Sequence, residues 1–72
     1  MEQLIKILKD IRPDIDVNSE RLVDDGILDS FDIVTIVTEL IDTYGVELSV
    51  EDIIPENFNS VESILNLIEK KR

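Results

Sequence analysis

The stretch that decides the fold of this chain runs from residue 24 to residue 45 and reads DDGILDSFDIVTIVTELIDTYG. Its apolar side chains recur every three or four residues, at Ile33, Ile36, Val37, Leu40, Ile41 and Tyr44. This spacing places them on one face of an α-helix. We expect the helix to begin at Asp29 or Ser30 and to end at Tyr44, with Gly45 as the left-handed residue that ends many helices.

The start of this helix carries its own capping signals. Asp29 can accept hydrogen bonds from free N–H groups of the first turn, and Asp32 follows three residues later, as in a capping box. Residues 31–38 are rich in β-branched side chains, which would also suit a strand. The helical period, the caps and the length together favour the helix.

A first helix is predicted from about Glu2 to Ile11, because Leu4, Ile7 and Leu8 share its apolar face and Pro13 disfavours its continuation. A last helix is predicted from about Ser60 to Lys70. We expect Asn59 to cap this helix and Glu62 to stand at its third position. The apolar stripe of the last helix comprises Val61, Ile64, Leu65, Leu67 and Ile68.

The connection from Asp14 to Leu28 is long for so small a protein, and such loops are usually functional. Single apolar residues are predicted to anchor it to the core, namely Ile15, Val17, Leu22, Val23, Ile27 and Leu28. After Gly45 we expect an extended segment and one short helix from Ser49 to Ile54, ended by Pro55. The sequence therefore predicts an all-α fold in one domain over residues 1–72: a small four-helix bundle of three main helices and one short helix, with a long first loop.

Composition narrows the possible functions. The 72 residues include no Cys and no His, which excludes disulfides and thiolate metal sites and removes the usual general base. Seven basic residues against 17 acidic ones give a net charge of −10, which disfavours nucleic acid and anionic membranes and favours basic partners. No signal peptide and no membrane-spanning run is visible, so we expect a cytoplasmic protein that does not insert into membranes.

The acidic loop partly matches the pattern of a calcium-binding loop. Carboxylate or amide residues stand at positions 1, 3, 5 and 12 of a possible calcium loop, namely Asp14, Asp16, Asn18 and Asp25. However, Ser19 replaces the glycine expected at position 6, and Asp25 is shorter than the bidentate Glu expected at position 12. Arg21 would add a cation beside the ion. A solvated acidic loop is therefore the preferred interpretation, and no metal is predicted.

Ser30 stands at the predicted start of the second helix, where a serine is most often a cap or a solvated polar residue. The site also suits one modification. A phosphodiester on this hydroxyl would face the free N–H groups and the positive end of the helix dipole. The turn at Gly26 would allow the loop to approach closely.

The residues Asp29, Ser30 and Phe31, preceded by Gly26, resemble the signature of the acyl carrier proteins and their peptidyl and aminoacyl relatives. The resemblance covers nearly the whole chain. It includes the length, the order of helices, the long first loop, YGV at residues 44–46 and IIPENFNSVESI at residues 53–64. An Asp-Ser pair alone is a weak motif, whereas the pair in this position of an acidic chain of this length is specific.

This resemblance implies that Ser30 carries 4′-phosphopantetheine, transferred from coenzyme A by a separate phosphopantetheinyl transferase. The thiol of that arm would hold an acyl group as a thioester, so the chain itself needs no Cys or His. Asp29 is implied in recognition by the transferase. The other implied partners are a loading enzyme and a downstream transferase or synthase. The chain would be a monomeric carrier rather than an enzyme.

The class of carrier stays open at the level of sequence. Fatty-acid carriers typically have Leu after the serine and several acids along the second helix, whereas this chain has Phe31, Thr35 and Thr38 there. An Asp-Ser-Phe motif is similar to that of D-alanyl carriers and other stand-alone aminoacyl carriers, so an aminoacyl or peptidyl carrier is the alternative. The carried group is chosen by the loading enzyme. An unmodified acidic interaction domain is the alternative from a different functional class.

The outward face of the second helix is predicted to dock partner enzymes. On a helical wheel Phe31 lies opposite the apolar stripe, so the core should not bury it. The predicted docking residues are Phe31, Asp32, Val34, Thr35, Thr38, Glu39 and Asp42. The alternative is that Phe31 folds back onto the loop and packs with Ile27 or Leu28.

Overall fold

The computed structural model of the protein describes residues 2–72. It contains α1 (Glu2–Ile11), α2 (Ser30–Tyr44), α3 (Pro55–Phe58) and α4 (Val61–Lys71). A three-residue 3-10 turn, Val50–Asp52, lies between α2 and α3. Residues 2–72 form helices, turns and loops without a strand, which confirms the predicted all-α bundle with a long first loop.

The sequence signals at the ends of α2 act as predicted. The Asp32 N–H donates to the Asp29 carboxylate over 2.9 Å, and the Asp29 N–H donates to the Asp32 carboxylate over 3.3 Å. This reciprocal capping box satisfies donors that have no carbonyl partner within the helix. Gly45 ends the helix with φ of 68°, and its N–H donates to the Ile41 carbonyl over 3.0 Å. A side chain at this φ would be strained, so glycine suits the position.

The apolar faces of the helices meet in one core. α1 packs against α2 and α4, and α3 packs against α4. The buried apolar residues are Leu4, Leu8, Ile15, Leu22, Leu28, Ile36, Leu40, Val46, Phe58, Val61, Ile64, Leu67 and Ile68. Every helix and the long loop contribute to this set, and removing such side chains from water is the main force that holds the bundle together.

The loop between α1 and α2 is held to the core at intervals. Ile15, Leu22 and Leu28 are buried, and the other predicted anchors are half-buried. The Leu22 N–H donates to the Asn59 carbonyl over 2.8 Å, and the Leu28 N–H donates to the Leu22 carbonyl over 2.9 Å. The segment that leads into α2 therefore has both apolar and hydrogen-bonded attachments.

Asn59 has a different role from the one predicted for it. α4 begins at Val61, and its N-cap is Ser60, whose hydroxyl accepts the Ser63 N–H over 3.0 Å. The Asn59 side chain instead accepts hydrogen bonds from the N–H groups of Val23 at 3.0 Å and Asp24 at 3.1 Å. The prediction of Asn59 as the cap was wrong because its carboxamide is engaged by a loop more than thirty residues earlier.

The predicted short helix from Ser49 to Ile54 was also wrong in its bounds. Only Val50–Asp52 forms a 3-10 turn, and Pro55 begins α3 instead of ending a helix. Proline suits the first position of a helix because its fixed φ is helical and its missing N–H would have had no intrahelical partner there.

Asp52 joins the 3-10 turn to the end of α4. Its carboxylate accepts the Ser49 N–H over 3.0 Å and the Ser49 hydroxyl over 3.2 Å, and it lies 3.1 Å from the Lys71 ammonium nitrogen. The hydrogen bond from the Ser49 backbone, followed by that from Lys71, lowers the pKa of Asp52 below its ordinary value. The segment before α3 is thus linked by charge to the C-terminal helix.

The spacing of Ile41 predicts that it lies on the core face of α2, but this residue is 40 % exposed. Ile36 and Leu40 are fully buried and define the centre of the packed face. At about 100° per residue, Ile41 lies more than a quarter-turn from that centre. The apolar stripe of α2 is therefore narrower than predicted, and Ile41 belongs to the exposed side.

Candidate functional site

Ser30 is the first residue of α2 and is exposed. Asp29 occupies the N-cap position before it, so the capping role is filled by a carboxylate and the serine hydroxyl is not needed for it. Among the five serines, all within the described residues, Ser30 alone has a side chain that makes no hydrogen bond. Its Oγ is therefore exposed and is not engaged by the described residues.

The electrostatics of this position favour a negatively charged group on the Ser30 oxygen. The N–H groups of Ser30 and Phe31 belong to the first turn of a 15-residue helix and have no carbonyl four residues earlier within it. They also lie at the positive end of the helix dipole. Asp29 and Asp32 oppose this effect through their own charges, but both carboxylates already accept hydrogen bonds from the helix start.

The loop before Ser30 turns at Gly26, which has φ of 76° and donates its N–H to the Val23 carbonyl over 3.0 Å. Nothing lies within 4 Å of the position that a Cβ would occupy there. Glycine is therefore required by the positive φ of the turn, not by close packing. Gly26 lies four residues before Ser30 in the chain.

Beside Ser30 an exposed apolar stripe runs along α2. Phe31 is 85 % exposed, Val34 61 % and Ile41 40 %. Thr35 and Thr38 lie on the same side, and their hydroxyls donate to the carbonyls four residues earlier, each over 3.0 Å. The hydroxyls of both threonines are thus satisfied within the helix.

Phe31 is exposed as its position on the helical wheel predicted, and the alternative of packing on Ile27 or Leu28 is wrong. Glu39 and Asp42 are exposed near the far end of α2. The exposed apolar stripe of α2 is therefore bordered by the negative charges of Glu39 and Asp42.

Asp32 differs from the other predicted docking residues, because only 15 % of its side chain is exposed. Its carboxylate is occupied by the Asp29 N–H and by the Arg12 guanidinium, with Arg12 Nε 3.3 Å from Asp32 Oδ2. Arg12 also donates to the Ile27 carbonyl, from Nε over 3.1 Å and from Nη2 over 2.9 Å. Arg12 was not predicted as part of this site, because no local pattern links it to a residue fifteen positions later.

The acidic loop shows ordinary local pairing. The Asp16 carboxylate accepts the Asn18 N–H over 3.0 Å, and Asp25 pairs with Arg21 at 3.1 Å. Residues 2–72 bring no three His, Cys, Asp or Glu side chains together in a way that could hold a metal ion. In the same residues, no helix combines the length and the apolar character that crossing a membrane requires.

The model of one protein family, described as the phosphopantetheine attachment site, matches residues 2–68. The chain belongs to this family. The match spans all four helices apart from the last turn of α4 and includes the Ser30 region. No curated protein and no solved structure matches the chain significantly.

Membership of this family confirms the resemblance to acyl carrier proteins that the Asp-Ser-Phe motif indicated. The domain is an attachment site for covalently bound 4′-phosphopantetheine, and the chain is a phosphopantetheine carrier. Carrier domains of this family are typically not catalysts themselves. They interact in general with a phosphopantetheinyl transferase and with enzymes that handle acyl groups.

Proposed function

We propose that this chain is an acyl carrier protein that bears 4′-phosphopantetheine on Ser30 and moves thioester-bound acyl groups between partner enzymes. The observation that carries the proposal is the Ser30 hydroxyl, which is exposed and free of hydrogen bonds at the first position of α2. It lies in a chain whose family is defined by phosphopantetheine attachment.

The residues at the start of α2 fit the phosphate of the cofactor. Ser30 Oγ would form the new bond to phosphorus and lose its proton, while the adenosine bisphosphate portion of coenzyme A leaves. The N–H groups of Ser30 and Phe31 are available to a phosphate oxygen, and the helix dipole favours its negative charge. Asp29 holds the helix start in place and is proposed to contribute to recognition by the transferase.

The bound cofactor would supply a thiol on which a carried group is held as a thioester. The chain has no Cys, so that sulfur can come only with the cofactor. The described residues of the chain have three tasks in this scheme: to present Ser30, to hold the first turn of α2 rigid and to offer a surface that partner enzymes recognise.

We propose that this surface is the exposed stripe of α2, formed by Phe31, Val34, Thr35, Thr38 and Ile41. Glu39 and Asp42 border it and would attract enzymes with basic patches. An aromatic side chain that is 85 % exposed beside the attachment residue is a strong candidate for a docking anchor, because a few such residues carry most of the energy of an interface. Asp32 would contribute to docking mainly by holding the start of α2 in place.

An aminoacyl carrier of the D-alanyl type is the second candidate within the same chemistry. It is favoured by Phe31 directly after the serine and by the threonines and apolar residues that occupy most of the exposed face of α2. Mass spectrometry of the protein isolated from cells would separate the two, because the mass added beyond the phosphopantetheine arm identifies an amino acid or an acyl group.

The attachment itself is tested with coenzyme A and a purified phosphopantetheinyl transferase. Wild-type protein should gain the mass of one phosphopantetheinyl group, and Ser30→Ala should gain none. Ser49→Ala is the matched control, because Ser49 is also exposed at the start of a helical turn but its hydroxyl is engaged by Asp52. Modification of Ser30→Ala would refute the assignment. A folded wild type that resists modification would favour an unmodified interaction domain.

A further inference from the structure

The site proposed for modification is tied to the end of α1 by a single side chain. Arg12 follows the last residue of α1 and reaches the Ile27 carbonyl with two of its nitrogens, Nε at 3.1 Å and Nη2 at 2.9 Å. The same Nε lies 3.3 Å from Asp32 Oδ2. Arg12 therefore contacts the chain on both sides of Ser30, three residues before it and two residues after it.

These contacts complete a set of restraints on residues 27–32. The Ile27 carbonyl is held by Arg12, and the Leu28 N–H by the Leu22 carbonyl at 2.9 Å. Asp29 and Asp32 hold each other through the capping box. Ser30 lies inside this restrained segment while its own side chain remains free.

We propose that Arg12 is a positioning residue for the transfer to Ser30, an inference that rests on the attachment proposed above. The guanidinium presents several donors in a rigid plane, so it can hold the Ile27 carbonyl and the Asp32 carboxylate in one arrangement. It thereby fixes the direction in which the helix start presents Ser30 Oγ to the transferase. A reacting atom that is misplaced by a small distance loses much of the advantage of orientation.

A role limited to overall stability agrees less well with the surroundings of Arg12. The Arg12 side chain is 38 % exposed, so its ion pair with Asp32 is partly screened by water. The core is built from buried apolar residues of all four helices and does not include Arg12. Loss of the guanidinium should therefore loosen residues 27–32 more than the bundle.

The test compares Arg12→Gln with Arg21→Gln, a matched control. Both variants remove one positive charge, but the Arg21 side chain pairs with Asp25 in an exposed part of the loop. Their kcat/KM for transfer from coenzyme A is measured at a temperature at which circular dichroism shows both folded. We expect Arg12→Gln to be slower than Arg21→Gln by about tenfold, as for loss of hydrogen bonds from a charged donor.

Arg12→Lys tests the geometry of the contact. Lysine restores the charge near Asp32 but has a single nitrogen, which cannot reproduce the planar fork on the Ile27 carbonyl. Its kcat/KM should lie between those of the wild type and Arg12→Gln. If Arg12→Gln fails to fold, Arg12→Lys tests by itself whether Arg12 positions Ser30 for transfer. A kcat/KM for folded Arg12→Lys or Arg12→Gln equal to that of Arg21→Gln would overturn the proposal.

Amide hydrogen exchange supplies a readout that does not depend on modification. In the unmodified protein, Arg12→Gln should speed exchange at the Leu28 and Asp29 amides, whereas Arg21→Gln should not. Unchanged exchange at both amides would overturn the positioning role even if Ser30 is modified normally. A second outcome separates the two proposals. If Arg12→Gln speeds exchange but the wild type is never modified, the attachment at Ser30 is overturned, and with it the role of Arg12 in transfer.

A double-mutant cycle tests whether Asp32 acts through Arg12. If it does, kcat/KM for transfer to the double variant Arg12→Gln, Asp32→Asn should be no lower than kcat/KM for the slower single variant. Multiplied losses in the double variant would show that Asp32 and Arg12 act independently, contrary to the proposal.

Discussion

Ser30 and Ser60 both stand at the start of a long helix, yet the structure uses them in opposite ways. Ser60 is the N-cap of α4: its hydroxyl accepts the Ser63 N–H over 3.0 Å and donates to the Ser63 hydroxyl over 2.9 Å. Ser30 stands one position further into its helix, behind Asp29, and its hydroxyl has no hydrogen-bond partner among the described residues. The Ser60 hydroxyl is thus occupied by the helix that it caps, whereas Asp29 takes the capping role at α2 and leaves the Ser30 hydroxyl unengaged by the described residues.

The residues that follow the two serines show the same contrast. Val61 after Ser60 is 4 % exposed and packs in the core, whereas Phe31 after Ser30 is 85 % exposed. The residue after Ser60 therefore packs in the bundle, whereas the residue after Ser30 faces solvent. The two helix starts therefore differ in two observations that can be tested independently: whether the serine hydroxyl is hydrogen-bonded and whether the next residue is exposed.

The largest expected effect concerns the two phenylalanines of the chain. Phe58 is fully buried and Phe31 is largely exposed. Phe58→Ala should lower the free energy of unfolding by about 3–5 kcal/mol, because it leaves a cavity in a small core. Phe31→Ala should leave that free energy nearly unchanged and weaken binding of a partner enzyme by roughly 1–2 kcal/mol or more.

Chemical denaturation measures the free energy of unfolding, and titration calorimetry measures the binding of a partner enzyme. The docking role of Phe31 would be rejected by a Phe31→Ala variant that is strongly destabilised but binds normally once folded.

A smaller effect separates the two caps. Asp29→Ala and Ser60→Ala each remove the side chain that caps a long helix, and each should cost about 1 kcal/mol of stability. Only Asp29→Ala should also slow modification of Ser30, since the capping box holds the turn in which Ser30 lies. Equal transfer rates for the two variants, measured by mass spectrometry over time, would contradict the distinction between the helix starts.

The smallest effect lies away from both serines, at Asp52. Its folded pKa is lowered by hydrogen bonds from Ser49 and Lys71. The stabilisation that ionised Asp52 contributes is therefore complete above the pKa of an aspartate in the unfolded chain, which is about 4. It is lost as the pH falls through the lower folded value. Asp52→Asn should reduce stability at neutral pH and flatten its decline in acid, as measured by denaturation at several pH values. If stability declines in acid as steeply in Asp52→Asn as in the wild type, Asp52 contributes nothing to that decline.

Local sequence patterns determined the long helices and the motif at the candidate site. α1 and α2 have the predicted bounds because spacing, Pro13, Asp29 and Gly45 act within a few residues of each helix end. The Asp-Ser-Phe motif likewise indicated the phosphopantetheine family before any contact was known, because the signature is continuous in sequence.

Only the tertiary structure decided which side chains remain free and which are engaged over long distances. Asn59 would suit a cap, but the loop amides of Val23 and Asp24 engage it. Ile41 fits the helical period, but the packed face of α2 is too narrow to bury it. Arg12 holds the Ile27 carbonyl fifteen residues away. Helical periods and caps act within about four residues, whereas these choices depend on which distant segments the fold brings together.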